Sequence, residues 1–108
     1  GVFFLRRRRH PRSPPFPHTR RFRAEFAGRA RIEWPEWKAR LDVTADPIYS
    51  CLVIYTPEHR DFFCAEPATN CIDAFNLTNQ GRTDTGLIVL DPSDTAAGDV
   101  IFTPTFLD

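Results

Sequence analysis

The chain has 108 residues, ten of them Phe and two Trp, with 42 % apolar residues and a formal charge of zero. That length supports one domain with a modest core. No apolar run approaches the roughly 18 residues of a membrane span, and Gly1 to Leu5, before the Arg run, is too short for a signal-peptide core. The zero charge hides a split: residues 1–31 hold ten of the fourteen basic residues and one acid, whereas residues 32–108 hold four basic residues and thirteen acids. Such asymmetry marks a basic tail joined to an acidic domain.

The first unit is residues 1–23. Within it, residues 6–23 (RRRRHPRSPPFPHTRRFR) carry eight Arg, four Pro and no acid. Too little apolar surface is present to offset the entropy of ordering, which predicts a disordered segment. A nucleic-acid arm, a nuclear-localisation signal and a transit peptide all fit this composition, as does a segment with no role. The acidic remainder would repel phosphate, so nucleic acid is not the expected partner.

The second unit, residues 24–108, consists of short extended segments separated by turn residues. Residues 29–34 read as a strand ended by Pro35. Residues 38–45 alternate polar and apolar, with Arg40 and Asp42 out and Leu41 and Val43 in, the pattern of a half-buried strand. Asp46-Pro47 makes a turn, and the β-branched and aromatic run 48–56 predicts a strand buried on both faces. After a turn at 57–60, residues 61–66 form a strand that Pro67 stops. Residues 68–85 read as a polar loop pinned to the core by Ile72, Ala74, Phe75 and Leu77. Residues 86–90 predict a compact strand, 91–94 a turn, and 100–106 a last strand with Pro104 indicating an edge. The class is all-β, with strands at sandwich-like spacing.

Three cysteines, Cys51, Cys64 and Cys71, form no CxxC pair, and no His cluster has zinc-ligand spacing. Buried, reduced thiols and a cytoplasmic location follow. Trp34 and Trp37 flank Pro35 and read as a sugar-stacking platform or as edge-strand core, with aromatic burial favouring the core. Alternation along 62–66 places Phe62, Cys64 and Glu66 on one face and Phe63 and Ala65 on the other. If that first face is covered, the Glu66 carboxylate is desolvated and becomes a better proton acceptor; otherwise it sits in water at a sheet rim.

Tyr55-Thr56-Pro57, Arg60-Asp61-Phe62-Phe63-Cys64, Glu66-Pro67 and Asp73-Ala74-Phe75-Asn76 together resemble the C-terminal motif of the aldose 1-epimerase (galactose mutarotase-like) family. Residues 28–35, Thr85-Gly86-Leu87 and Val89-Leu90-Asp91-Pro92 extend the resemblance, which covers about residues 24–106. The resemblance implies part of a galactose mutarotase-like β-sandwich (supersandwich), here as a C-terminal piece of a longer chain. It also implies interconversion of the α and β anomers of galactose- or glucose-type hexoses by paired general acid–base catalysis, without a cofactor or metal.

Carried over residue by residue, the catalytic base falls on Glu66. Nothing matches the family's upstream general-acid His: His10 and His18 lie in the Arg/Pro segment and His59 in a turn. Asn70 replaces a loop His, and Ser93-Asp94 replaces Gly-Glu. The chain by itself is therefore expected to turn over sugar slowly or not at all. A non-catalytic carbohydrate-binding β-sandwich module is the alternative.

Overall fold

A computed structural model describes residues 3–6 and 20–107, with side chains from Phe26 onward. The chain is mostly β with little helix. In chain order its elements are β1 (Phe3–Arg6), β2 (Arg20–Glu25), β3 (Arg29–Trp34), β4 (Ala39–Ala45), β5 (Cys51–Thr56), β6 (Cys64–Ala68), the short helix α1 (Ala74–Asn79) and β7 (Val100–Phe106). They form a four-stranded sheet of order β1-β3-β4-β7 and a three-stranded sheet of order β2-β5-β6. Strand pairing thus reaches back into the basic segment, through β1 beside β3 and β2 beside β5. The expectation of a disordered or loosely draped 6–23 falls mainly on residues 7–19, which lie outside the described residues.

The hairpin from β3 to β4 follows directly from its sequence. Pro35 cannot donate to the ladder, so it closes β3 and opens a single 3-10 turn, Pro35–Trp37. Lys38 then takes a left-handed conformation (φ 47°) and donates its N–H to the Pro35 carbonyl at 3.1 Å. The turn fixes the register Trp34↔Ala39, Ile32↔Leu41 and Ala30↔Val43. Ala30, Ile32 and Val43 are buried and Leu41 is half-buried; for Leu41 and Val43 the alternation of residues 38–45 predicts the inward side. At the other end, Gly28 adopts φ +83° so that its carbonyl meets the Ala45 N–H at 3.0 Å.

One core cluster joins the two sheets: Ala30 and Val43 from the larger, Leu52 and Ile54 from the smaller, and Phe26 between them. Leu52 is 0 % exposed and Ile54 1 %, and each such side chain contributes on the order of 1.5–3 kcal/mol by leaving water. On the inner face of β5 Leu52 and Ile54 are buried and Thr56 is half-buried, while on the other face Cys51 is buried and Val53 and Tyr55 are half-buried, so the strand is not buried throughout on both faces.

Proline lies in one edge strand of each sheet. Pro104 lies in β7, opposite Leu41, at the outer edge of the larger sheet as expected. Pro67 does not stop β6, which runs on to Ala68 with Pro67 opposite Leu52. β6 is the outer strand of its sheet, and an edge residue loses no ladder bond by lacking a donor on its open side.

Other expectations also change. Residues 61–63 leave the ladder, so β6 begins only at Cys64. The 68–85 stretch contains α1, whose inward spacing is Cys71, Ala74 and Leu77; these pack on Cys51 as a second, smaller cluster. Ile72 and Phe75 face outward, Phe75 being 78 % exposed, so neither pins the loop. Residues 86–90 form no strand, and Ile88, Val89 and Leu90 are exposed. Gly86 at φ +72° turns the chain there, and no described strand lies alongside to pair with it. The turns at 46–49 and 91–94 are present, closed by Tyr49 N–H to Asp46 O and Asp94 N–H to Asp91 O, both 3.0 Å. Cys51, Cys64 and Cys71 are free thiols; the first and last are buried and Cys64 is half-buried. No helix among the described residues is long and apolar enough to cross a membrane.

Candidate functional site

Glu66 is the third residue of β6 and stands opposite Val53. Its neighbour Ala65 packs against the core cluster, so alternation sends Glu66 to the outer face, with Cys64 and Ala68 flanking it. Val53, Tyr55 and Cys64 make that face half-apolar, yet Glu66 itself is exposed. On this face Cys51 is covered by Cys71, Ala74 and Leu77, but that cover does not extend over Glu66, whose side chain is exposed. Phe62 lies before β6 and outside the ladder, so alternation does not place it beside Glu66; it is half-exposed and lines the groove described below.

The loop after β6 is held to the start of β5. Ser50 Oγ donates to the Thr69 carbonyl at 2.9 Å, and the Cys71 N–H donates to the Thr85 carbonyl at 2.8 Å. Thr85 is buried, and its hydroxyl lies 2.7 Å from that of Thr78. Asn70, the residue in place of a loop His, uses its side chain locally: its amide N–H donates to the Cys71 carbonyl at 3.1 Å and its carbonyl accepts from Thr69 Oγ1 at 3.2 Å. Asp73, left-handed at φ 62°, accepts from the Asn76 side-chain amide at 2.7 Å, and both are exposed. This pair shapes the start of α1.

His59 is the histidine among the described residues. It lies in the exposed turn before β6, left-handed at φ 53°, with Nε2 3.1 Å from Glu58 Oε1. It pairs with Glu58, one residue back on the same turn. No group of three or more His, Cys, Asp or Glu among the described residues could hold a metal ion.

On the opposite side of β6 lies a feature of which the sequence offered only one part, the Trp34 and Trp37 pair. A groove of about 360 Å³ opens between the inner face of the larger sheet and the 61–65 segment. Trp34 and Trp37 lie nearly parallel, 13° apart with ring centroids 6.4 Å apart, and Phe63 stands 6.2 Å from Trp34. Trp37 is 56 % exposed, which removes the reading of this residue as core. The available signal was the pair of aromatic dipeptide-scale motifs, Trp-Pro-Glu-Trp and Asp-Phe-Phe. Nothing local in the sequence says that they meet.

The arrangement offers two separate chemistries: an accessible carboxylate on one face of β6, able to accept a proton, and an aromatic recess on the other. No protein-family model, curated protein or solved structure matches this chain.

Proposed function

We propose that this chain is part of an aldose 1-epimerase-like enzyme, a galactose mutarotase-like β-sandwich of the cytoplasm, in which Glu66 is the catalytic base. The substrate class is a free galactose- or glucose-type aldohexose, and no cofactor takes part. Glu66 accepts the proton of the anomeric hydroxyl while an acid protonates the ring oxygen, breaking the bond from that oxygen to C1. The open-chain aldehyde turns about C1–C2 and closes from its other face, returning both protons.

The observation that carries this reading is the ordered run from Tyr55 to Asn76, whose one carboxylate in the Glu-Pro step stands on an accessible, half-apolar strand face. An acid and a base in such a pair contribute about 10²–10⁴-fold each. His59 pairs with Glu58 on an exposed turn, so the described residues supply the base half and activity is correspondingly low. That same observation favours a second reading, a carbohydrate-binding module without turnover.

Polarimetry of freshly dissolved α-galactose and α-glucose separates the two. The catalytic reading expects a small acceleration over buffer that Glu66→Gln removes. Equal rates for both chains, with sugar binding retained, support the module.

A further inference from the structure

The larger sheet is wider than the layer that covers it. Val100, Phe102 and Phe106 of β7 stand at even spacing and project to one face. Val100 packs against the core cluster, which makes this the inner face. Across the ladder from β4 to β7 the cover runs out: Val43 is 1 % exposed, whereas its partner Phe102 is 55 % exposed. Phe106, opposite Ala39, is 82 % exposed. The described strands of the basic segment, β1 and β2, lie at the opposite edges of their sheets from β7 and β6.

The uncovered surface is large for so small a chain. Phe102 and Phe106 are joined by Trp37 at 56 % and Phe62 at 50 % exposure. An aromatic side chain carries about 150–250 Å², so these four together present roughly 350–600 Å² of ring surface. One side of a stable protein–protein interface buries about 800 Å², of which somewhat over half, about 450 Å², is apolar. The rings on this face supply that apolar share.

The same face carries both a knob and a hole. Phe106 projects beside the groove without lining it, and the groove of about 360 Å³ is walled by Trp34, Trp37, Phe62 and Phe63. It has room for a phenyl ring, since an apolar cavity of about 150 Å³ takes benzene. A surface with both features is able to pair with itself about a two-fold axis, and such a contact closes at two copies. Strand addition is not the route: β6 and β7 contain Pro67 and Pro104, which interrupt a ladder at those edges.

We infer that the chain forms a two-fold symmetric homodimer through the inner face of β7, with Phe106 of each copy seated in the aromatic groove of the other. The contact lies on the side of β6 away from Glu66, so it does not depend on the reading of that carboxylate as a base.

Sedimentation velocity of the full chain between about 1 and 100 μM tests this, a range in which a contact of this size associates. The expected result is a shift from the 12.4 kDa monomer to twice that mass as concentration rises. The shift persists in about 0.5 M sodium chloride, which screens charge but not apolar burial. Phe106→Ser and Trp37→Ala each weaken association at least about tenfold, with far-ultraviolet circular dichroism unchanged. Phe75→Ser has no effect, because Phe75, 78 % exposed, lies on α1 over the other face of the smaller sheet. A monomer at every concentration overturns the proposal, as does growth beyond two copies or association that survives both groove substitutions. Dissociation in salt also overturns it, by assigning the contact to the basic segment.

Discussion

The two buried clusters of this small domain are built on different principles. The larger joins Ala30 and Val43 of one sheet to Leu52 and Ile54 of the other, residues up to 24 positions apart, and Leu52 and Ile54 are almost wholly buried. The smaller gathers Cys51, Cys71, Ala74 and Leu77, short side chains drawn from one loop and the strand beneath it. The first cluster holds the sheets together. The second holds the loop after Glu66 and depends as much on hydrogen bonds through Ser50, Thr69 and Thr85 as on apolar area. Global stability and the shape of the candidate site therefore respond to different substitutions.

The largest expected effect is at the sheet-to-sheet cluster. Leu52→Ala removes a fully buried side chain and should cost about 3 kcal/mol, read from the urea midpoint. In a domain of this size that is a large share of the total. A loss below about 1 kcal/mol would mean that the two sheets are not held by this contact.

Gly86→Ala sharpens the contrast from the other side. At φ +72° a Cβ would strike the Thr69 carbonyl, the Ser50 hydroxyl and Asn70. A residue forced to keep that conformation costs about 1–3 kcal/mol. The expected signature is faster amide exchange at Cys71 and along α1, with protection in β4 and β5 retained. Uniform loss of protection would merge the two clusters into one unit.

A smaller effect concerns acid. The Asp42 carboxyl is held below its ordinary value of 3.8 mainly by the hydrogen bond from Arg31 Nε at 2.6 Å, helped by the charges of Arg31 and Arg40, while burial opposes the shift. Arg40 Nε, buried and 3.4 Å from the second Asp42 oxygen, adds charge without a hydrogen bond. A depressed folded value means that the unfolded chain takes up the proton first. The contribution is therefore complete above about pH 4 and is lost as pH falls through the lower folded value. Asp42→Asn should flatten that acid limb of the stability curve and leave its neutral-pH shape unchanged. The smallest effect belongs to Phe75→Ser: with the ring 78 % exposed, stability should move by no more than about 0.5 kcal/mol.

Much of the architecture was legible because it is local. Alternation in residues 38–45 and the Pro35 stop set β4 and the end of β3, and Pro104 marked β7 as an edge. Pro67 misled because its meaning depends on whether its strand has a neighbour on the open side, which no window of sequence contains. The extended look of 86–90 failed for a similar reason: Leu87 to Leu90 have strand composition but no described partner strand, and Gly86 bends away from one. At the candidate site, the outward placement of Glu66 followed from alternation once Ala65 was fixed inward. Its exposure did not, since cover on that face would come from residues distant in sequence. The aromatic groove needed Trp34 and Phe63 to meet across two sheets, a tertiary event with no signature in either dipeptide.

The central claim is that Glu66 is one half of an acid–base pair, and chemical rescue tests it most directly. The mutarotation rate of α-galactose is followed by polarimetry as imidazole buffer is raised at constant pH near 7, so that imidazolium supplies the missing proton donor. The account predicts a rate above the imidazole-only background that climbs with imidazolium in the native chain and is absent in Glu66→Gln. Identical rates for the two chains at every imidazole concentration would contradict it.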